Sequence, residues 1–259
     1  TFNFATSRSV IKDLPQSDGR LTLAYSRIYD SANQTVWFQV EEGGRVGDFY
    51  GTGYQKNDNG EFLIDDNGNY IADDNLKKLG NYNPDFTLGW SNNFNYKNWN
   101  MSFLFDWRQG GEVVSRTRAL GNVGGQLAET SYRPDAGIIA QGVNVNTGQA
   151  NTVAITAESY YRQFYDRNHE ENNIYDASFL KLRQFSIGYT FDIKDGFLGL
   201  KEGADISLSI VGNNLFAITE NPHFDPEQLA VQGNGFVIGV EDMSYATTRS
   251  IGFKAGFNF

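Results

Sequence analysis

An acidic stretch in the first third of the chain has the spacing of a calcium-binding loop. Asp65, Asn67 and Asn69 stand at alternate positions, as the first three ligands of such a loop do. That loop also needs a glycine at its sixth position and a glutamate at its twelfth, where this chain has Tyr70 and Leu76. Because two requirements fail, we predict a solvated turn and no metal site.

The residue types offer little for catalysis. The two histidines, His169 and His223, are far apart in sequence, and the chain has no cysteine. It contains no H-E-x-x-H, phosphate-loop or G-x-S-x-G motif. The adjacent Glu170 and Glu171 would point in opposite directions on an extended chain, so they do not form a carboxylate pair. We therefore predict no catalytic residue, no enzymatic activity and no cofactor.

An aromatic cluster with an arginine is the candidate for substrate binding. Its members lie in the longest polar connection of the chain and are Tyr160, Tyr161, Arg162 and Tyr165. Aromatic faces stack on sugars or peptide side chains, and a guanidinium adds directed hydrogen bonds. Loop aromatics also anchor the loop itself, and we favour this second role over ligand contact.

The elements that would carry these residues are β-strands. Between Tyr245 and Phe259, apolar and polar residues alternate, which predicts a strand with one face of each kind. In a soluble β-sandwich the apolar face would meet a second sheet, whereas in an outer-membrane barrel it meets lipid and the polar face meets a wet lumen. We expect a closing strand of such a barrel, with a membrane-facing row formed by Ile251, Phe253, Phe257 and Phe259.

The same alternation recurs upstream, which favours the barrel. It is present in Asp85–Tyr96, Trp99–Trp107, Gln184–Phe191 and from Ile206 to Ile210. The polar faces of these segments are rich in Ser, Thr, Asn and Gly, whereas sandwich surfaces carry more Lys and Glu. Only Lys97 and Asn98 separate the first two segments, so we expect a tight hairpin, in which Asn98 is able to adopt the left-handed conformation.

The composition agrees with a membrane barrel. Aromatic residues make up 15% of the 259 residues although the mean hydropathy is only −0.46, as expected when aromatic bands alternate with polar loops. No apolar run approaches the ~18 residues of a membrane helix, so any span must be formed by strands. The net charge of −10 argues against a nucleic-acid partner. Because Thr1 is not an initiator, we expect a mature chain or a fragment of a longer one.

The connections alternate between long and short. The long ones are Gln55–Pro84, Gly110–Asn173 and Ala217–Ser244, and the short ones are Lys97-Asn98 and Asp192–Gly203. If successive strands alternate in direction, all long connections lie at one end of the barrel, which we take to be outside the cell. The predicted strands are Phe38–Tyr54, Pro84–Tyr96, Trp99–Gln109, Ile174–Phe191, Asp205–Leu215 and Tyr245–Phe259. The ambiguous first 37 residues bring the count to seven or eight.

Two cations interrupt the apolar pattern. Lys181 and Arg183 fall in the apolar phase of their predicted strand, beyond its lipid-facing part. Charges at mid-membrane depth are costly, so we expect both at the rim of the barrel, among headgroups or loop carboxylates.

Short motifs run through the chain from about Gly43 to Phe259. They are Gly44–Gly51 (GRVGDFYG), Asn81–Gly89 (NYNPDFTLG), Ser178–Arg183 (SFLKLR), Ser186–Phe191 (SIGYTF), Gly212–Phe216 (GNNLF), Asp225–Glu227 (DPE) and Thr248–Phe253 (TRSIGF). In order and spacing they resemble the SusC/RagA-type TonB-dependent outer-membrane transporters.

The resemblance implies an all-β fold, an antiparallel transmembrane β-barrel of about 22 strands. Residues 1–259 would be the C-terminal portion, roughly its last seven or eight strands, without the plug and the TonB box. The resemblance also implies TonB-dependent import of oligosaccharides or peptides across the outer membrane of a Gram-negative bacterium. The implied partners are a SusD-type surface lipoprotein, the TonB complex, the barrel-assembly machinery and outer-membrane lipid.

Two other functions stay open at this point. A barrel of the same descent could scaffold a surface complex without transporting anything. A soluble β-sandwich that binds a ligand would need a second sheet over the apolar faces.

Overall fold

The structure is a computed structural model of the chain. It describes residues 1–15, 18–23, 36–165, 169–193, 204–221, 223–227, 230–232 and 235–258. Within these ranges, no helix is long and apolar enough to cross a membrane.

The elements are numbered in chain order. The strands are β1 Phe2–Ala5, β2 Arg20–Thr22, β3 Val36–Glu41, β4 Asp48–Gly51, β5 Leu63–Ile64, β6 Lys77–Asn81, β7 Phe86–Tyr96, β8 Trp99–Gln109, β9 Glu112–Ser115, β10 Ile138–Ile139, β11 Val143–Asn144, β12 Ala154–Ile155, β13 Ile174–Asp176, β14 Phe179–Asp192, β15 Asp205–Thr219, β16 Ala230–Gln232, β17 Gly235–Val237, β18 Val240–Glu241 and β19 Ser250–Asn258. The helices are α1 Arg116–Gly124 and α2 Ala157–Arg162, with short 3₁₀ turns at Ala128–Ser131 and Glu170–Asn173.

One antiparallel sheet forms the wall of the fold. Its strand order is β1-β7-β8-β14-β15-β19. Each strand of this sheet pairs with the next one along the chain, and the short strands between them belong to other, smaller sheets. The predicted all-β, antiparallel class is therefore confirmed. The described part of this sheet has six strands, fewer than the predicted seven or eight.

The strand prediction at Phe38–Tyr54 was wrong. This segment forms two short strands, β3 and β4, of a separate four-stranded sheet with the order β2-β3-β4-β6. Gly43 and Gly47 have φ values of 80° and 96°, which turn the chain back between the two strands. Phe2–Ala5 pairs with β7 and takes the place in the wall that this segment was expected to fill.

The predicted strand Ile174–Phe191 is divided in two. Its first residues form β13, which pairs with β9 in another sheet, and β14 begins only at Phe179. The last strand starts at Ser250 instead of Tyr245, and Phe259 lies outside the described residues.

The hairpin between β7 and β8 is present as predicted, with Tyr96 opposite Trp99. The hairpin residue with positive φ is Lys97 (52°), and Asn98 does not use the left-handed conformation that is open to it. The Asn98 side chain instead spans to the next hairpin, where its amide donates to the Thr190 carbonyl at 2.7 Å and to Asp192 at 3.0 Å.

Three long connections leave the same end of the wall. We call them loop A (residues 6–85), loop B (residues 110–178) and loop C (residues 220–249). A buried core draws on all three: Val36, Phe38 and Phe49 from loop A, Val114 from loop B and Val240 from loop C. The loops therefore form one packed layer at this end of the wall.

Candidate functional site

The wall separates apolar from polar side chains by face. On one face, Ile210 lies opposite Ile187 on β14 and Phe253 on β19. On the other face, the hydroxyls of Ser102 and Ser186 are hydrogen-bonded at 2.8 Å. Many large side chains of the apolar face are exposed, among them Phe2, Phe4, Phe94, Tyr96, Trp99, Phe191, Leu208, Ile210, Ile251, Phe253 and Phe257.

The row predicted to face the membrane lies on this apolar face. Ile251, Phe253 and Phe257 are 67%, 86% and 58% exposed, and Phe259 lies outside the described residues. Isolated exposed apolar residues are ordinary on a soluble surface, but a continuous band over several strands marks an interaction surface.

Charged residues gather on the polar face at the end where the loops leave. Lys181 lies opposite Asp106 in the register of β14 with β8. The register shifts between Leu182 and Gln184, so a β-bulge at Arg183 directs this side chain toward Asp106 as well. The assignment of both cations to the apolar phase was therefore wrong, because alternation counted from the sequence does not include a bulge.

The two cations bind carboxylates of loop C. Lys181 forms ion pairs with Asp225 and Glu227, and Arg183 pairs with Glu227 and, at 2.7 Å, with Asp106. The Lys181 side chain is only 4% exposed. We call these five residues the ion cluster. The expectation that the cations meet loop carboxylates is correct, and the cluster joins the SFLKLR motif to the DPE motif.

Burial and ion pairing shift the pKa values of the two loop C carboxylates, Asp225 and Glu227, in opposite directions. Burial alone would raise the pKa of Glu227, but hydrogen bonds from Arg183 and Lys181 outweigh it and hold the pKa below its usual value. Burial also opposes ionisation of Asp225, whose pKa is nevertheless lowered by hydrogen bonds from Lys181, Thr247 and the backbone of Glu227. Both groups are therefore carboxylates at neutral pH.

Loop A is held to the same end of the wall by a hydrogen bond to its backbone. The Arg108 guanidinium on β8 donates to the Tyr82 carbonyl at 2.5 Å. Because the acceptor is a neutral carbonyl, this contact does not depend on the ionisation of a partner, in contrast to the ion cluster that holds loop C.

Polar contacts join the loops to one another. Glu171 in loop B pairs with Lys56 at 2.9 Å and Lys77 at 2.6 Å, both in loop A. The fully buried Glu241 in loop C accepts hydrogen bonds from the hydroxyls of Ser115 (2.9 Å) and Thr117 in loop B. The buried contacts of Glu241 and the partly exposed ion pairs of Glu171 together fix the loops relative to one another.

The predicted substrate-binding residues lie in and after α2, but only some are accessible. Tyr161 is buried, and its hydroxyl donates to the carbonyls of Glu129 (2.7 Å) and Tyr132 (3.1 Å). Tyr160 is half-buried beside Tyr70, and burial together with Tyr70 raises its pKa to about 12. These contacts anchor the loop, the role that the sequence favoured for the cluster.

The other two predicted substrate-binding residues, Arg162 and Tyr165, differ in how far they are exposed to solvent. Arg162 is exposed and forms a surface ion pair with Glu158 at 3.6 Å. Tyr165 is half-buried. Arg162 is therefore the candidate most accessible to a ligand.

The acidic stretch forms a turn that its own carboxylates stabilise. Asp65 accepts hydrogen bonds from the backbone N–H groups of Asn67 (2.9 Å) and Asn69 (2.8 Å). Asp66 accepts from the side-chain amides of Asn144 and Asn146 in loop B, both at 2.9 Å. Within the described residues, no group of three or more His, Cys, Asp or Glu could hold a metal ion.

The two histidines take part in packing. His169 is buried and stacks on Tyr54 with ring centroids 4.7 Å apart. His223 lies 3.2 Å from Glu129 and packs against Tyr175. They belong to separate parts of the loop layer, as their sequence distance suggested.

Sequence reasoning missed how the loops are fastened to the wall. The motifs that hold the ion cluster were recognised one by one, but nothing in a single sequence pairs Glu227 with Arg183. The sequence signal for this attachment was that loop C carries the carboxylates Asp225 and Glu227 and that β14 carries the cations Lys181 and Arg183.

Comparisons with known proteins agree with this architecture. No family model matches the sequence. The chain is 26% identical over 281 aligned residues to TonB-dependent receptor P3 of Formosa agariphila, covering 99% of this chain and 26% of the relative. It is 28% identical over 200 residues to TonB-dependent receptor P39 of the same organism, covering 76% of this chain and 18% of that relative. The chain thus spans about a quarter or less of the curated relatives it matches.

Solved structures show the same fold. The RagAB peptide transporter matches over 98% of this chain and 26% of its own, with a TM-score of 0.58 and 16% identity. The RagAB peptide importer in its 'closed-closed' state matches with a TM-score of 0.59 at the same identity and coverage. The chain therefore has the fold of a β-barrel segment.

The sequence matches and the fold matches agree with the resemblance carried by the motifs. The two curated relatives, one of them matched over nearly the whole chain, are named TonB-dependent receptors, and the fold is similar to that of the RagAB structures. The chain is therefore similar in sequence to part of two TonB-dependent receptors and similar in fold to part of the RagAB structures.

Proposed function

We propose that this chain is the C-terminal portion of a barrel that imports oligosaccharides or peptides across the outer membrane of a Gram-negative bacterium, driven by the TonB complex. One observation carries the proposal. A single sheet has a continuous exposed apolar face and a polar face, and all three long loops leave one end of it. A lipid-facing wall with a wet lumen and large outer loops has this arrangement.

The apolar face contacts outer-membrane lipid in this proposal. Trp99 and Tyr96 are 51% and 71% exposed at the hairpin end, the position of an aromatic girdle. A soluble sandwich would cover this face with a second sheet, and none of the smaller sheets in the described residues pairs with the wall. The barrel-assembly machinery would insert the strands, which must pair because unpaired backbone groups are costly in lipid.

The loop layer is the recognition surface in this proposal. The curated relatives are named receptors and the matched structures are named peptide transporter and importer, which supports a binding and transport role without enzymatic activity. A SusD-type surface lipoprotein would close over the layer. Arg162 and Tyr165 are the proposed ligand contacts, and Tyr160 and Tyr161 position the helix that carries them.

The test is uptake by cells that carry the full-length receptor. Fluorescent peptides and oligosaccharides are supplied separately, and accumulation is compared with and without a functional TonB complex. Import predicts accumulation of one ligand class that stops when TonB is inactivated, while surface binding persists. A non-transporting scaffold predicts recruitment of a surface lipoprotein with no TonB-dependent accumulation of either class, and that result would overturn the import proposal.

A further inference from the structure

Residues 223–227 cross from loop C to the wall, and three kinds of contact hold them. His223 lies 3.2 Å from Glu129 in loop B. Phe224 is buried with Val113 and Ala177. Asp225 and Glu227 form the loop side of the ion cluster. We call this segment the strap.

The ionic contact is the one that ties the strap to the wall. His223 and Phe224 contact residues of loop B, whereas Asp225 and Glu227 contact β14. Glu227 bridges both cations, because it pairs with Lys181 through one oxygen and with Arg183 through the other. Removing the charge of Glu227 therefore weakens two of the three ion pairs between the strap and β14 and leaves only the pair of Asp225 with Lys181.

The cations have another carboxylate within reach when the strap leaves. Asp106 pairs with Arg183 at 2.7 Å and lies directly opposite Lys181 in the sheet. Directly opposite residues on one face of a sheet have Cβ atoms about 5 Å apart, close enough for a lysine to reach a carboxylate. Lys181 can thus exchange the loop carboxylates for Asp106, and the buried cation is not left unpaired.

We propose that the strap is a releasable fastening, which is held on the polar face through charge and lifts away when the Glu227 contact is lost, while Val240 and Glu241 keep loop C attached to loop B. Phe224 then leaves its place over Ala177, and the outer end of the polar face opens. Loops A and B keep their own contacts, because Arg108 holds Tyr82 and Glu171 holds Lys56 and Lys77. The inference does not depend on which substrate the barrel takes.

The experiment uses the detergent-solubilised full-length receptor with one engineered cysteine at a time in this cysteine-free segment. Ala177→Cys is the reporter, because Ala177 is 2% exposed and packs against Phe224. Ala140→Cys is the control reporter, because Ala140 is 1% exposed and lies in loop B outside the Phe224 cluster. Each is combined with Glu227→Gln, or with Glu158→Gln as a matched substitution at an exposed ion pair.

The strap predicts that Glu227→Gln makes the cysteine at 177 react with a maleimide at least tenfold faster, while the cysteine at 140 keeps its rate. Glu158→Gln should change neither rate. An unchanged rate at 177 in the Glu227→Gln receptor would mean that apolar packing alone holds the segment, and would overturn the proposal. An equal acceleration at 140 would mean that the whole layer loosens, and would overturn it as well.

Discussion

Arg183 and Glu227 are 44 residues apart in the chain and form an ion pair in which the guanidinium of β14 donates to the carboxylate of loop C. The bulge at Arg183 makes this pair possible, because it brings Arg183 to the side of the sheet where Lys181 already lies. A local irregularity of one strand therefore determines where a long loop attaches to the wall.

Replacement of the buried lysine should be strongly destabilising. Lys181→Ala leaves Asp225 and Glu227 with one cation instead of two in a poorly solvated site, which we expect to cost about 3–5 kcal/mol. Lys254→Ala is the matched control, because Lys254 is exposed on the polar face of β19, and its cost should stay within about 0.5 kcal/mol. Denaturant unfolding of the full-length receptor in detergent measures both. Equal costs would show that the ion cluster contributes nothing to stability.

The contribution of the ion cluster should depend on pH. The pKa values of Asp225 and Glu227 are lowered, so their stabilisation is fully present above the usual carboxyl pKa near ~4 and is lost as the pH falls through the lowered values. Glu227→Gln should therefore lower the unfolding midpoint at pH 7 and lose this deficit progressively at acid pH. Lys181 and Arg183 on β14 contact the two carboxylates, Asp106 on β8 shares Arg183 with Glu227, and Arg108 on β8 interacts electrostatically with Glu227. A deficit that grew on acidification would contradict the assigned direction.

A charge on the apolar face should disrupt the wall. Phe253 is 86% exposed on the face that we assign to lipid, so Phe253→Arg should cost about 2–4 kcal/mol or block assembly. The measurement is the fraction of heat-modifiable, folded receptor in outer-membrane preparations, with Lys254→Ala as the tolerated neighbour. Equal amounts of folded receptor for both variants would contradict a lipid-facing row.

Substitutions at Tyr161 and Arg162, which are neighbours in α2, should distinguish a residue that anchors the loop from one that contacts the ligand. Tyr161→Phe removes the donor for the carbonyls of Glu129 and Tyr132, which should cost about 1 kcal/mol of unfolding free energy. Arg162→Ala should be neutral for stability, because its ion pair with Glu158 lies at the surface, and should weaken ligand binding if the proposed contact is correct. Unfolding and ligand titration of the same two variants decide between the roles. A stable Tyr161→Phe receptor would remove the anchoring role of Tyr161.

The alternation of apolar and polar residues predicted the long strands of the wall, because successive side chains of a strand point to opposite faces of the sheet. Trp99–Gln109 was predicted with its observed bounds, and the strand predicted at Pro84–Tyr96 begins two residues later, at Phe86. The same rule failed at Phe38–Tyr54, since alternation does not distinguish lipid from a protein core. Val36, Phe38 and Val40 are all buried there, the first two in the shared loop core. Gly43 and Gly47 were the local signal against one continuous strand.

The loop layer could not be predicted because its contacts are non-local. Val114 and Val240 belong to different loops and pair in a parallel sheet, which no periodicity in either segment indicates. Tyr161 was a candidate ligand contact by residue type, and only the positions of the Glu129 and Tyr132 carbonyls reveal its anchoring bonds. The residue types thus suggested a role for the cluster, and tertiary contacts divided it into anchors and an exposed arginine.

The central claim, a barrel wall with its long loops outside the cell, is tested most directly by cysteine accessibility on whole cells. Tyr245 in loop C is 96% exposed, Asn59 in loop A is exposed, and Lys97 is exposed in the hairpin at the opposite end of the wall. With a membrane-impermeant maleimide, single cysteines at 245 and 59 should be labelled in intact cells and one at 97 only after the cells are broken. Labelling at 97 with none at 245 and 59 in intact cells would invert the barrel and contradict the account.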